Sequence, residues 1–331
     1  MKDIILSGMR PTGALHLGNY FGALENWVKL QHEYDCYFAV ADWHALTTGY
    51  ENTDIIKNNI KEMVIDWLSA GLEPDKCTIF IQSHVVEHAE LHLLLSMITP
   101  LSWLLRCPTY KEQISQITDR NITTYGFLGY PCLQAADILL YNASCVPVGE
   151  DQLPHLELAR EIARRFNYIY GDVFVEPQSK LTKSKVLTGL DGRKMSKSYN
   201  NTIALSDDPS TITKKVRTMI TDPKRIRKDD KGNPDICTVY AYHKIFSTSD
   251  EVCEIEECCR QGTIGCVVCK KKLADNMIKY LSPIYEKRQE ILKTSDIVEQ
   301  VLNDGQKKAE KVAKNNMKRI RKAMKLDYLG E

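Results

Sequence analysis

The stretch Gly8-Met9-Arg10-Pro11-Thr12-Gly13-Ala14-Leu15-His16-Leu17-Gly18-Asn19 follows a short apolar run, Ile4–Ser7, and leads into a segment of helical spacing. In that segment, Asn19–Gln31, the residues Tyr20, Phe21, Leu24, Trp27 and Val28 recur at the period of one helix face. A strand that turns through glycines into a helix is the opening unit of an open α/β sheet. Ligands of such sheets bind beyond the carboxyl ends of the strands. The helix N-terminus offers unpaired N–H groups and the positive end of a dipole, which suits phosphate. Gly8, Gly13 and Gly18 let a ligand come close to the backbone. His16 is a donor for charge developing on a transferred phosphate. On local spacing alone the same residues also read as a Gly-rich turn with a surface histidine.

Outward from this stretch the pattern repeats. Tyr34–Ala41 is an apolar, aromatic run ended by Asp42. Thr78–Gln82 is a third strand, and Cys145–Val148, running into Gly149, a fourth. Between them Ile56, Ile60, Met63, Val64, Trp67 and Leu68 mark an amphipathic helix, and Ala135, Ala136, Leu139 and Leu140 a tightly packed one. Strands separated by helical patterns predict a parallel sheet with right-handed crossovers. After Ser198 the signals become polar loops and then helices: Val239–Phe246, Val252–Cys259, Lys270–Leu281 and a long basic helix from Gln306 to Lys325. The fold expected is α/β. A Rossmann-like catalytic domain spans 1–198 and a smaller all-helical domain 199–285. C-terminal helices follow over 286–331, and their packing back on the first domain stays open.

The charge follows this division. The chain's net charge is +1, yet residues 1–210 sum to −7 and residues 211–331 to +8. A basic half points to a polyanion as partner. With 43% apolar and 26% charged residues over 331 positions, disorder and fibrous classes are excluded. The longest apolar stretch, Leu91–Leu105, is broken by His92, Thr99 and Pro100. It falls short of the roughly 20 apolar residues a membrane span needs. The N-terminus has no signal-peptide pattern, so a cytoplasmic protein without membrane contact is expected.

Lys194-Met195-Ser196-Lys197-Ser198 follows Gly192. Lysines beside phosphates neutralise charge on a pyrophosphate leaving group, although such a pentapeptide alone is usually a solvated loop. His-x-Gly-Asn after the first strand, together with KMSKS, resembles the signature pair of class I aminoacyl-tRNA synthetases. Asn19 stands where that family's HIGH motif ends in His. The runs Gly8–Gly13, Tyr130–Leu139, Val146–Gln152 and His155–Asn167 are similar to the tryptophanyl-tRNA synthetases over nearly the whole chain.

The resemblance implies a tryptophan–tRNA ligase. ATP and tryptophan form tryptophanyl-adenylate and pyrophosphate, with Mg²⁺, and tryptophan then moves to the 3′ end of tRNA(Trp). It implies catalytic roles for His16, Lys194 and Lys197. It sets ATP against Arg10, Pro11, Thr12, Gly18, Asn19, Gly149, Glu150, Asp151, Val186, Lys194, Met195, Ser196, Lys197 and Ser198. It sets tryptophan against Leu6, Gly8, His44, Gln134, Asp137, Val148 and Gln152, with Asp137 accepting the indole N–H and Gln152 at the α-amino end. An Asp inside so apolar a helix is out of place without a partner. Gln134 departs from the Met found there in many bacterial members. A homodimer joined through the α/β domains is also implied. The rivals are a tyrosine–tRNA ligase, a related nucleotidylyltransferase and a non-catalytic nucleic-acid-binding protein.

Eleven cysteines, six of them between Cys237 and Cys269, are many for a chain without export signals, and point away from disulfides. Cys237, Cys259, Cys266 and Cys269 suit zinc, an iron–sulfur cluster, or reduced thiols. The resemblance favours a [4Fe–4S] cluster, as in a branch of the family that carries one in the anticodon-reading domain. It would order the loop bearing Lys270, Lys271 and Lys272. Cys258, beside Cys259, leaves the ligand choice ambiguous.

Overall fold

Residues 2–108, 110–111, 123–181, 187–227, 229–294 and 296–328 are described by the computed structural model, Ser198 by its backbone alone. β1 (Ile4–Met9) leads into helix α1 (17–30), which opens as an α-turn, widens to a π-turn at Tyr20–Leu24 and continues as Glu25–Leu30. Then come β2 (Asp35–Val40), α2 (Asp42–Gly49), α3 (Ile56–Ala70) and β3 (Cys77–Ile81). α4 (Glu87–Ser96) and α5 (Leu101–Leu105) are the two halves of the broken apolar stretch, parted at Pro100. α6 (Tyr125–Leu140), β4 (Cys145–Val148), α7 (Leu153–Tyr170) and β5 (Gln178–Leu181) complete the α/β part.

The five strands are all parallel, in the order β3-β2-β1-β4-β5. Along β2, Cys36, Phe38 and Val40 enter one core while Tyr37 and Ala39 enter the other. Both faces of the sheet are therefore covered, which is why its inner strands read as unbroken apolar runs. On one face Trp27 stacks on Phe38 with centroids 4.6 Å apart and meets Trp67 edge-on at 5.3 Å. Each such pair adds about 0.5–1.5 kcal/mol beyond area burial. β5 is an addition to the expected four strands. Its QSKL sequence lies mostly exposed at the sheet's edge, so it lacks the apolar signature of the others.

The helical part contains α8 (Pro209–Thr218), α9 (Thr238–Phe246), α10 (Ser249–Gln261), α11 (Cys266–Lys293) and α12 (Ile297–Ala323). α10 starts on a capping box between Thr248 and Glu251 and stops at Gly262 in the left-handed region. The boundary expected at residue 285 falls inside α11, which is one helix of 28 residues. α11 packs on α3, and Leu273, Met277 and Leu281 join the same core as Trp27. α12 begins earlier than the expected Gln306 and lies on β3, where Ala309, Ala313, Met317 and Ile320 join the other core. Arg321 of α12 forks onto Glu90 of α4 at 2.8 and 2.6 Å.

Candidate active site

The order of the sheet reverses between β1 and β4, and at their carboxyl ends a cavity of ≈ 590 Å³ opens. All seven residues expected against the amino acid line it: Leu6, Gly8, His44, Gln134, Asp137, Val148 and Gln152. From the expected nucleotide set, Arg10, Gly18, Gly149, Asp151 and Lys194 line it too. Pro11, Thr12, His16, Asn19, Glu150, Met195, Ser196 and Lys197 belong to the adjoining segments rather than to the lining. Val186 and the Ser198 side chain lie outside the described residues.

Asp137 sits on α6 with 7% of its surface exposed. Of its three partners, His44 was expected against the amino acid, while Gln82 and His88 were missed in the sequence reading. Gln82 donates to both carboxylate oxygens at 2.8 and 2.9 Å. His88 Nδ1 is 2.7 Å from Oδ1, and His44 Nε2 is 2.8 Å from Oδ2. His88 Nε2 in turn meets the Tyr141 hydroxyl at 3.0 Å. Burial alone would raise the Asp137 pKa, but the hydrogen bonds from His44 and His88 outweigh it and hold the carboxyl well below the usual range. Asp137 is thus an ionised acceptor at the cavity wall, oriented from three sides.

At the other end of the cavity the two loops meet through their backbones. Leu17 N–H donates to Ile203 O at 2.9 Å, and Leu205 N–H to Leu15 O at 2.9 Å. This pairing seats KMSKS beside the first helix. His16 caps that helix: its Nδ1 accepts from Asn19 N–H at 3.3 Å, while Asn19 Oδ1 accepts from His16 N–H at 3.1 Å. Asn19 therefore serves as the reciprocal cap. With Nδ1 accepting, the ring proton is on Nε2, free to face a ligand as a donor. Burial and the Lys197 charge push the His16 pKa down to about 4, so the ring is neutral at ordinary pH. A Cβ at Gly18 would lie 2.9 Å from that ring, so glycine is what lets it lie over the helix start.

Lys197 Nζ donates to Thr12 O at 3.1 Å, closing the second loop over the first. Burial lowers its pKa, and the Asp66 carboxylate partly restores it. The loop itself is braced by Asn201, a buried residue absent from the sequence reading. Asn201 Oδ1 accepts from Ser196 N–H at 2.8 Å, and its Nδ2 donates to Asp191 at 2.7 Å. His155, also unforeseen, lines the cavity with its Nε2 3.0 Å from the Tyr130 hydroxyl.

His16, His155 and His243 all have pKa values pushed down to about 4 by burial. Between that value and the unfolded value near 6.5 the unfolded chain binds protons that the folded one refuses, so each costs stability as pH falls. Asp66, raised to about 6 by burial, acts with the opposite sign over part of that window. Burial lowers the His92 pKa as well, so four histidines oppose one carboxyl. The melting temperature is expected to fall steadily from pH 7 to pH 5, read by calorimetry. A flat or rising trend contradicts these assignments.

In the helical part, the thiols of Cys237, Cys259 and Cys266 all raise the Cys269 pKa, after burial, to about 12. Cys253 and Cys258 are not among the groups named as acting on it. Gly232 backs Cys259 so closely that a Cβ there would lie 2.7 Å from its Sγ. Arg225 Nη1 reaches the same sulfur at 3.8 Å. Among the described residues no three His, Cys, Asp or Glu side chains converge tightly enough to hold a single metal ion.

Known proteins can be set beside this geometry. The family model described as class I tRNA synthetases (W and Y) matches residues 2–282. The tryptophan–tRNA ligase of Thermotoga maritima is 51% identical over 326 residues, covering 98% of this chain and 99% of its own length. That of Aquifex aeolicus is 46% identical over 392 residues, covering 97% and 99%. The structure of tryptophanyl-tRNA synthetase from Campylobacter jejuni complexed with ADP and tryptophan superposes with a TM-score of 0.88 at 32% identity, over 97% of this chain and 99% of that one.

Proposed function

The chain belongs to the class I tRNA synthetases of the tryptophan and tyrosine family, and from that premise we propose how its cavity does the work. The activity is that of a tryptophan–tRNA ligase, with tryptophan, ATP and tRNA(Trp) as substrates. The observation that carries the residue assignment is the meeting, at one cavity, of an ionised buried Asp137 and of the two loops bearing His16 and Lys194.

The indole ring enters among Leu6, Val148 and Gln134, and its N–H donates to Asp137. Gln152 lies at the α-amino end. The tryptophan carboxylate then attacks the α-phosphate of ATP, carried as its magnesium complex, and pyrophosphate leaves. No covalent enzyme nucleophile is needed, so catalysis is positioning plus charge stabilisation. Neutral His16 donates through Nε2 to phosphate oxygen. Lys194 and Lys197 neutralise the departing pyrophosphate. Pro11, Thr12, Glu150, Met195 and Ser196 frame the nucleotide. Closure of KMSKS over ATP gates the step. ATP–pyrophosphate exchange with each of the twenty amino acids tests the reading: tryptophan alone should stimulate it, and stimulation by tyrosine or by none refutes it.

The helical part over 199–285 is read as the anticodon-binding region, with Lys270, Lys271 and Lys272 in its basic surface. Cys237, Cys259, Cys266 and Cys269 would hold a [4Fe–4S] cluster there. Each thiolate ligates a different iron in such a cluster, so the sulfurs need not converge on one point. The mutual influence of these four thiols fits that arrangement. The cluster would supply cross-linking of the loops rather than chemistry at the cavity. Anaerobically purified protein is expected to absorb on the order of 400 nm and to contain iron that Cys259→Ser removes; colourless, iron-free protein excludes the cluster.

Val86, Leu93, Met97, Leu101 and Leu105 expose large apolar side chains along α4 and α5. That strip supports a homodimer joined through the α/β parts. Leu101→Glu should halve the mass seen by light scattering; an unchanged mass rules out this face. Among the described residues no helix is long and apolar enough to cross a membrane. None of the eleven cysteines is paired in a disulfide, in keeping with a cytoplasmic enzyme.

A further inference from the structure

Behind the ATP end of the cavity, outside its lining, lies a buried ion pair that the mechanism above does not use. Asp66 of α3 is 1% exposed and Arg288 of α11 is 5% exposed. Asp66 Oδ2 accepts the backbone N–H of Leu15 at 3.1 Å, the residue immediately before His16. Its Oδ1 faces Arg288 Nη1 at 3.1 Å, close but without hydrogen-bond alignment. Arg288 also reaches Glu62, one turn earlier on α3. Asp66 acts on Lys197 as a counter-charge, and Lys197 is the residue that ties KMSKS to Thr12. One carboxylate thus faces the Leu15 amide, Lys197, Glu62 and Arg288.

We propose that Asp66 and Arg288 are a positioning pair for the ATP end of the site, holding the His16 loop and Lys197 in register from the far side of α3. The proposal rests on the reading of His16 and Lys197 as the ATP-handling residues. Its physical basis is the cost of a buried charge. Removing Arg288 leaves Asp66 uncompensated. Burial already pushes the Asp66 pKa up to about 6 even with the guanidinium beside it, so without Arg288 the carboxyl takes a proton. A protonated Asp66 is a weaker acceptor for Leu15 N–H and no counter-charge for Lys197. Misplacing catalytic groups by about 1 Å can cost about a hundredfold in rate. The tryptophan end has its own supports in Gln82 and His88. The effect should therefore be confined to ATP. The pair also gives α11, about 42 Å long at 1.5 Å per residue and beginning at Cys266, a fixed attachment beside the first loop.

The test uses the full chain with Asp66→Asn, Arg288→Gln and Arg288→Lys. Asp66→Asn keeps an oxygen for Leu15 but loses the charge. Asp66→Asn and Arg288→Gln should each raise KM for ATP in pyrophosphate exchange about tenfold or more. Tryptophan affinity measured without ATP should stay within about twofold. Arg288→Lys, which keeps the charge, should recover most of the ATP affinity, and the Asp66→Asn/Arg288→Gln double variant should be little worse than either single one. A lowered melting temperature with unchanged KM for ATP would make the pair merely structural and overturn the proposal. An equal loss of tryptophan affinity overturns it too. If Asp66→Asn does not fold, Arg288→Gln against Arg288→Lys decides alone: equal KM values for ATP refute the idea. Wild-type protein lacking tryptophan-dependent exchange would refute the site reading itself, and this inference with it.

Discussion

Replacing Asp137 by Ala is expected to lower kcat/KM for tryptophan in ATP–pyrophosphate exchange by about a thousandfold, the largest single effect anticipated in this enzyme. Two losses combine. On the proposed placement, the indole N–H loses its carboxylate acceptor in a cavity also lined by Leu6, Val148 and Gln134. Gln82, His88 and His44 also lose their common partner, and each buried polar group left unpaired costs about 1–3 kcal/mol. The pocket then has no polar reason to prefer indole over a phenyl ring, so discrimination against phenylalanine collapses while KM for ATP moves little. Asp137→Asn separates the two losses. It keeps one acceptor oxygen but removes the charge that His44 and His88 stabilise, and should fall between wild type and Ala. Retention of the tryptophan-over-phenylalanine ratio in a folded Ala variant would show that shape, not Asp137, selects the substrate.

The second large effect belongs to Lys197. Its ammonium donates to Thr12 O and acts on His16, so in the proposed mechanism it would both close the KMSKS loop and receive charge leaving as pyrophosphate. Lys197→Ala should lower kcat of exchange by about 10²–10³-fold while tryptophan still binds with wild-type affinity. Arg is a poor replacement, because its planar fork cannot reproduce a point charge on a carbonyl oxygen and a phosphate together. Lys194→Ala should do comparable damage, and the double variant less than the product of the two, since both serve one leaving group. A Lys197→Ala enzyme with normal kcat would move the catalytic charge elsewhere.

The sheet was legible from sequence where burial on both faces wrote unbroken apolar runs, as in β2 and β3, and illegible at β5, where QSKL lies at an exposed edge. Motif residues were legible because their spacing is local: Gly18 and Asn19 next to His16, and Lys194 through Lys197. What supports them was not. Gln82 and His88 reach Asp137 across 55 and 49 positions, and no periodicity marks a pair that distant. Asn201 and Arg288 are ordinary polar residues in helical or turn surroundings until tertiary contacts bury them. Asp137 was recognisable because a carboxylate in an apolar helix conflicts with its neighbours. Gln82 and His88 carry no local mark, so a core-satisfied Asp and a ligand-bound one read alike in the sequence. The domain edge near 285 failed for a related reason, since α11 runs through it on local propensity and packing alike.

The return of α12 onto β3 has a consequence in time. Arg321 meets Glu90 across 231 positions. At 5–20 residues per second a ribosome needs roughly 12–46 s to make that interval. Until α12 is made, the surface that β3, α4 and α6 turn toward it, whose core holds Phe80, Leu91 and Ile138, lacks the helix that finally covers it. A nascent chain therefore carries an unroofed apolar face that invites association with other chains or with chaperones until α12 has been made.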